Sequence, residues 1–120
     1  MTAQPWPVEL RYSKAERILT VTFDDGAAYK LPAEYLRVES PSAEVQGHGA
    51  ATKTLVAGKR NVAIERIEPV GRYAARLVFD DGHDTGLFSW DYLALLGREH
   101  ARRWFEYESR LGSAGLSRDG

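Results

Sequence analysis

The sequence contains no cysteine and a single methionine. Without cysteine there are no disulfide bonds, no thiolate metal site, no cysteine nucleophile and no iron–sulfur cluster held by this chain alone. No apolar run approaches the roughly 18 residues that a membrane span requires. The first residues also lack the basic-then-apolar pattern of a signal peptide. The sequence therefore predicts a cytoplasmic protein that does not enter a membrane.

An excess of positive charge is also missing. Sixteen Lys and Arg residues oppose 17 Asp and Glu residues, so the formal net charge is −1. Proteins held on nucleic acid by bulk electrostatics normally carry a basic excess, and we therefore expect no nucleic-acid partner. A chain of 120 residues that is 43% hydrophobic and 28% charged is typical of one globular domain with its own core.

One short phrase occurs twice in the sequence. Residues 23–26 read Phe-Asp-Asp-Gly and precede Glu-Tyr-Leu at 34–36, while residues 79–82 repeat these letters and precede Asp-Tyr-Leu at 91–93. An Asp-Gly pair between strand-like segments predicts a tight hairpin turn, because glycine accepts a positive φ without steric cost. Each copy is therefore predicted to be a strand, a turn, a returning strand and a short acidic-Tyr-Leu element.

The C-terminal part has helical periodicity. Apolar and aromatic residues recur at helical spacing over 93–111, with Ser89 placed as the N-cap and Gly112 as the C-cap. The patterns predict an α+β fold, in which an antiparallel sheet built from two repeated β-hairpin units packs against a C-terminal amphipathic helix of about five turns. We expect a single domain over residues 1–112 and a disordered tail over 113–120.

The densest group of possible ligands surrounds the second Asp-Gly turn. Asp81, His83 and Asp84 combine carboxylates with an imidazole, which suits a divalent cation such as iron(II). His48 lies between two glycines in the long aperiodic stretch 39–61 and is a fourth candidate. The structural alternative is that the aspartates only shape the turn, since the first copy has the same turn without histidine, and that His48 is a solvated loop residue.

The same aperiodic stretch supplies candidates for contact with a protein partner, namely Glu44, Lys59 and Arg60. The alternative is that these charges form a solvated edge. The Walker phosphate-loop pattern is absent, because Lys53 stands where its first glycine is required and Arg60 follows Lys59. No nucleophile-elbow pattern is present either. The sequence leaves enzymatic activity open and favours its absence.

Several segments together resemble one known family. Residues 36–44, 58–60, 67–74 (Ile-Glu-Pro-Val-Gly-Arg-Tyr-Ala) and 79–90, with its Asp-Gly-His-x-x-Gly segment, carry the resemblance. They are similar to the N-terminal domain of γ-butyrobetaine hydroxylase and trimethyllysine hydroxylase. This domain also occurs alone in bacteria as a domain of unknown function of the DUF971 type. The resemblance covers residues 8–96.

The resemblance implies a domain that is not the catalytic one, with a structural zinc held by a Cys-x-Cys-x-x-Cys segment and the histidine of the Asp-Gly-His motif. The corresponding positions here are Ser40, Ser42, Val45 and His83. Serine hydroxyls are poor zinc ligands and valine is none. We therefore expect that the family's zinc site is lost and that the chain has no cofactor, with iron as the open possibility.

Related domains are fused to P-loop iron–sulfur cluster carriers. The resemblance therefore favours a small accessory module that assists an iron- or iron–sulfur-handling protein partner. The alternative function is a divalent-metal-binding protein that uses His83 and the neighbouring carboxylates. Both functions depend on which of these side chains the fold brings together.

Overall fold

The computed structural model describes residues 6–47 and 53–120. Two three-stranded antiparallel sheets, each followed by helices, form the architecture. The first sheet has the order β1 (Pro7–Ser13), β2 (Ile18–Phe23) and β3 (Ala28–Pro32). Two short helices follow it, α1 (Ala33–Val38) and α2 (Ala43–Gln46). The α+β prediction is confirmed, although the strands form two sheets instead of one.

The second half repeats this order of elements. Its sheet has the order β4 (Ile64–Val70), β5 (Ala74–Phe79) and β6 (Gly86–Ser89). The helices α3 (Trp90–Arg98) and α4 (His100–Ser113) follow. Among residues 6–47 and 53–120, none of the helices has the length and apolar character that crossing a bilayer requires.

The two turns predicted from the repeated phrase are both present and have the same backbone geometry and hydrogen bonds. Gly26 and Gly82 have φ values of 90° and 91°, and each donates its backbone N–H to the carbonyl of the phenylalanine three residues earlier. Asp25 and Asp81 each accept, through Oδ1, the backbone N–H of the residue two positions later. The hairpin prediction is confirmed at both sites, because only a residue that tolerates positive φ makes this turn without strain.

Two tyrosines join the halves in a reciprocal way. The hydroxyl of Tyr35 donates to the carbonyl oxygen of Leu96 at 2.7 Å, and that of Tyr92 donates to the carbonyl oxygen of Glu39 at 2.5 Å. Each acceptor lies four residues after the tyrosine of its own half. The halves therefore contact each other through equivalent positions, as in a two-fold arrangement.

The hydrophobic core combines both halves. Side chains of both sheets and of α3 form one cluster of buried residues, so neither half buries its apolar face alone. A smaller second cluster lies under α4. The fully buried residues of the large cluster include Leu19, Val21, Phe23, Leu31, Leu77, Phe79, Phe88, Leu93 and Leu96.

The C-terminal helix is interrupted, which the periodicity did not predict. Glu99 separates α3 from α4 with φ −102° and ψ 16°. The break follows Gly97, where the ring of Tyr29 occupies the space of a side chain. Gly112 lies inside α4 and not at its end, and the left-handed residue beyond the helix is Gly115, with φ 70°.

The tail contacts the rest of the protein in two places. Arg118 forms an ion pair with Glu34 of α1 at 2.6 Å. The backbone N–H groups of Gly58 and Arg60 donate to the carbonyl oxygens of Ser117 and Arg118, both at 3.1 Å. The tail is thus attached to α1 and to the segment that precedes β4. Its serines and glycines resemble a disordered composition, and the partners that fix it are remote in sequence.

Candidate functional site

The second Asp-Gly turn lies beside the end of α1 and beside α2. Side chains from four separate segments therefore meet there. They surround an open depression of about 360 Å³, and Lys59 reaches the turn from its side. We call this group the turn-side surface; its charged and titratable members are Arg37, Glu44, Lys59, Asp81, His83 and Asp84.

The carboxylate of Asp81 is used inside the protein. Its Oδ2 accepts from Arg37 Nε at 2.8 Å and lies 2.6 Å from Lys59 Nζ, while its Oδ1 accepts the backbone N–H of His83. Burial opposes the ionisation of Asp81, but the hydrogen bonds from Lys59, the His83 backbone and Arg37 outweigh it and lower the pKa to about 2. A carboxylate held by two cations is poorly placed to ligate a metal.

The ring of His83 contacts two serines. Its Nε2 lies 2.9 Å from Ser40 Oγ and 3.3 Å from Ser42 Oγ, and its Nδ1 lies 3.5 Å from Glu44 Oε2. Burial and the positive charge of Arg37 lower the pKa of His83, against the acidic neighbours that raise it. The lowered pKa favours the neutral ring, whose two nitrogens have one donor and one acceptor role.

Three of the four positions that the resemblance matches to the family's zinc ligands, Ser40, Ser42 and His83, lie in mutual contact. Ser40 and Ser42 contact His83, and Val45 is 2% exposed and donates its backbone N–H to the carbonyl oxygen of Ser42. Zinc takes four nitrogen, sulfur or carboxylate ligands. The residues present, with one imidazole, two hydroxyls and a valine, do not fit a zinc ion. The two hydroxyls instead form hydrogen bonds with the imidazole.

Two further metal candidates were predicted, Asp84 and His48. The side chain of Asp84 is exposed at the rim of the depression. His48 lies outside the described residues. Over residues 6–47 and 53–120, no three His, Cys, Asp or Glu side chains gather closely enough to hold a metal ion.

The partner-binding candidates form contacts within the chain. Lys59 pairs with Asp81, Arg60 Nε lies 2.6 Å from Asp119 Oδ1, and Glu44 Oε2 accepts from Thr85 Oγ1 at 2.5 Å. Lys59 and Glu44 belong to the turn-side surface, whereas Arg60 faces the tail. The structure therefore brings two of the three partner candidates to the place where the metal candidates lie.

Sequence reasoning missed a buried carboxylate. Glu39 is 3% exposed, and its oxygens lie 2.8 Å from Lys53 Nζ and 2.6 Å from Arg103 Nη1, beside a cavity of about 150 Å³. Burial opposes the charge of Arg103, but hydrogen bonds to Glu99 and Glu39 raise its pKa above the ordinary value. The positions 39, 53 and 103 have no local spacing that signals this cluster.

Comparison with protein families gives one match. The family model described as Gamma-butyrobetaine hydroxylase-like, N-terminal, matches residues 10–94. Comparison with curated proteins found no match. The matched range covers both repeated units and the turn-side surface, so it agrees with the resemblance seen in the sequence.

Solved structures similar to the chain include two determined by NMR in solution. They are 49% and 48% identical to it, with TM-scores of 0.84 and 0.83, and each alignment covers 98% of this chain and 92% or 90% of the other. A 1.93 Å crystal structure from Acidithiobacillus ferrooxidans ATCC 23270 is 38% identical, with a TM-score of 0.67. The alignment covers 79% of this chain and 98% of that protein, which is of unknown function and belongs to the DUF971 family.

Proposed function

Because the chain belongs to the family of γ-butyrobetaine hydroxylase-like N-terminal domains, we propose that it is a small non-catalytic interaction module that assists an iron- or iron–sulfur-handling protein. The iron-related part of the proposal comes from the resemblance, since related domains are fused to iron–sulfur cluster carriers. The docking part comes from the turn-side surface.

One observation above all supports docking: the turn-side surface carries charges of both signs, and a partner's charged groups can replace the ion pairs that these side chains form with each other. Arg37 and Lys59 both contact Asp81, and the side chain of Glu44 is 61% exposed beside them. Charges arranged in this way orient a partner and speed its association more than they add affinity. The turn holds these charges in fixed positions, so a partner meets a preformed pattern.

The geometry gives little support to nucleophilic catalysis at the same place. Ser40, His83 and Glu44 follow one another like a nucleophile, a base and an acid, but Ser40 is 0% exposed. The 3.5 Å between His83 Nδ1 and Glu44 Oε2 is too long for the hydrogen bond that orients a catalytic base. A substrate has no direct approach to the hydroxyl.

The proposal is tested by capture from an extract of cells that make the chain naturally. Immobilised wild type, Lys59→Glu and Lys14→Glu are compared, because Lys14 is an exposed lysine remote in sequence from the turn. We expect wild type and Lys14→Glu to retain the same protein, which carries iron or acid-labile sulfide, and Lys59→Glu to lose it. Equal capture by all three would reject the turn-side surface, and a captured protein without iron would reject the iron-related part.

Divalent-metal binding by His83 is the alternative function, and the approach of Glu44 to the imidazole favours it. Elemental analysis of untagged wild type and His83→Ala after incubation with iron(II), zinc(II) or manganese(II) tests it. Near-stoichiometric metal that disappears in His83→Ala would support this alternative. Absence of metal from both proteins would remove it.

A further inference from the structure

One arginine attaches the tail to the folded body. Arg118 donates from Nε and Nη2 to the two carboxylate oxygens of Glu34, at 2.8 and 2.6 Å. Its guanidinium carbon lies 5.2 Å from the centroid of the Trp104 ring. A bidentate carboxylate and an aromatic face together suit a planar guanidinium better than an ammonium. The site that receives Arg118 is therefore selective for arginine.

The segment before β4 aligns the backbone of the tail. Gly58 and Arg60 donate to the carbonyl oxygens of Ser117 and Arg118. The guanidinium of Arg60 contacts the carboxylate of Asp119 at 2.6 and 3.1 Å. These contacts recognise an arginine followed by an acidic residue. We call the receiving residues the tail site: Glu34, Gly58, Arg60 and Trp104.

Burial differs between the two sides of this contact. The side chain of Glu34 is 6% exposed, whereas that of Arg118 is 30% exposed and that of Asp119 is 64% exposed. Residues 114–120 contribute nothing to the two hydrophobic clusters of the described chain. The tail can therefore leave without opening the core. Its departure leaves a buried carboxylate without its cation, which is unfavourable until another cation arrives.

We propose that the tail site recognises a segment of a partner protein in which an arginine precedes an acidic residue, and that the chain's own tail occupies this site as an internal competitor. The partner segment displaces residues 116–119 and returns a guanidinium to Glu34. This inference rests on the proposed function only because both assume that the chain acts by binding a partner. The tail site would be a second binding site beside the turn-side surface.

The tail site adjoins the turn-side surface. Both contribute to a depression of about 300 Å³, in which Lys59 and Asp81 lie with Arg60 and Asp119. A partner that docks on the turn therefore comes close to the tail. Release of the tail would extend the docking area, so the tail controls how much of this face is available.

The test uses a fluorescent, end-capped peptide with the sequence of residues 113–120, Ser-Ala-Gly-Leu-Ser-Arg-Asp-Gly. Fluorescence anisotropy is measured with full-length wild type and full-length Arg118→Ala, whose tail lacks its anchor. We expect Arg118→Ala to bind the peptide at least ~10-fold more tightly, because in the wild type the tethered tail competes at high effective concentration. A peptide with alanine in place of arginine should not bind.

Two further variants separate specific binding from general effects. Glu34→Gln added to Arg118→Ala should abolish peptide binding. Arg11→Ala, which removes an exposed arginine paired only locally with Glu9, should behave as the wild type. Circular dichroism and dispersed NMR spectra establish that each variant is folded.

Three results would overturn the proposal: folded Arg118→Ala that does not bind millimolar peptide, equal binding by wild type and Arg118→Ala, or binding that Glu34→Gln leaves unchanged. Light scattering of the wild type adds a fourth result. A dimer that Glu34→Gln abolishes would assign the site to a second copy of the chain and reject a different partner. Lys59→Glu leaves Glu34 and Trp104 intact, so the capture experiment and the peptide experiment can fail independently.

Discussion

The substitution Glu39→Gln removes the charge from a buried carboxylate that pairs with two cations, while it keeps the shape of the side chain. Lys53 and Arg103 then face each other across a neutral amide, with only 19% and 20% of their side chains exposed. Removing one partner from a buried ion pair leaves the remaining charge uncompensated, which costs roughly 3–5 kcal/mol. Because both cations retain some solvent contact and Arg103 keeps Glu99, we expect the lower end, ~3 kcal/mol.

The assay is urea and thermal unfolding followed by circular dichroism. A loss of this size corresponds to a fall in Tm of about 10 °C for a domain of this length. Glu106→Gln is the matched control, because Glu106 pairs with Arg102 on the exposed face of α4 and is 56% exposed. That change should stay within about 0.5 kcal/mol. Equal losses for Glu39→Gln and Glu106→Gln would refute the reasoning that burial makes the cluster strong.

Four further substitutions test individual backbone and side-chain positions. Gly82→Val should lower the free energy of unfolding by at least about 1–2 kcal/mol, measured with urea, because φ is 91° there; an unchanged midpoint would contradict the turn. Gly97→Ala should lower the free energy of unfolding by roughly 1–3 kcal/mol, because its Cβ would overlap the Tyr29 ring. Gly112 has open space around it, so Gly112→Ala should stabilise α4 by roughly 0.5–1 kcal/mol. The pKa of Asp81 is lowered to about 2 from an ordinary 3.8, so its stabilising effect is present above pH 4 and is lost as the pH falls towards 2. In Asp81→Asn, the free energy of unfolding should depend less on pH over this range. An unchanged pH dependence between 4 and 2 would contradict the ion pairs.

The sequence predicted best what depends on neighbouring residues. The Asp-Gly turns at 25–26 and 81–82 followed from the freedom of glycine at positive φ, and that property belongs to the residue itself. The cap at Ser89 was also local, and its Oγ accepts the backbone N–H of Tyr92 at 3.1 Å. The α+β class followed because a pattern that occurs twice must bury two similar apolar faces.

The sequence did not predict features that depend on remote partners. Arg118 and Glu34 are 84 residues apart, and Arg103 and Glu39 are 64 residues apart. Neither pair has a periodicity or a local spacing, so the sequence did not indicate either contact. The charged and titratable members of the turn-side surface other than Arg37 were candidates by residue type, but only the fold showed that Arg37 and Lys59 already hold Asp81.

Residue size at equivalent positions distinguishes the two places where a strand of one half meets a helical segment of the other. Tyr29 of β3 faces Val21 in the first sheet, and Gly86 of β6 faces Leu77 in the second. The Tyr29 ring occupies the space beside Gly97, which lies five residues after the tyrosine of its half. At this place an aromatic ring of the first half therefore lies against a glycine of the second half.

The contact between β6 and the segment after α1 reverses the sizes. Ser40 lies five residues after Tyr35, at the place that matches the glycine in α3, and a Cβ on Gly86 would lie 2.5 Å from its Oγ. The small residue, Gly86, therefore lies on the strand, and the polar residue, Ser40, follows the helix. The absence of a side chain at Gly86 leaves room for the hydrogen bond between Ser40 and His83. The two turns are alike, so this exchange of large and small residues, and not the turn itself, distinguishes the surroundings of the second turn, where Ser40 of the first half contacts His83 of the second.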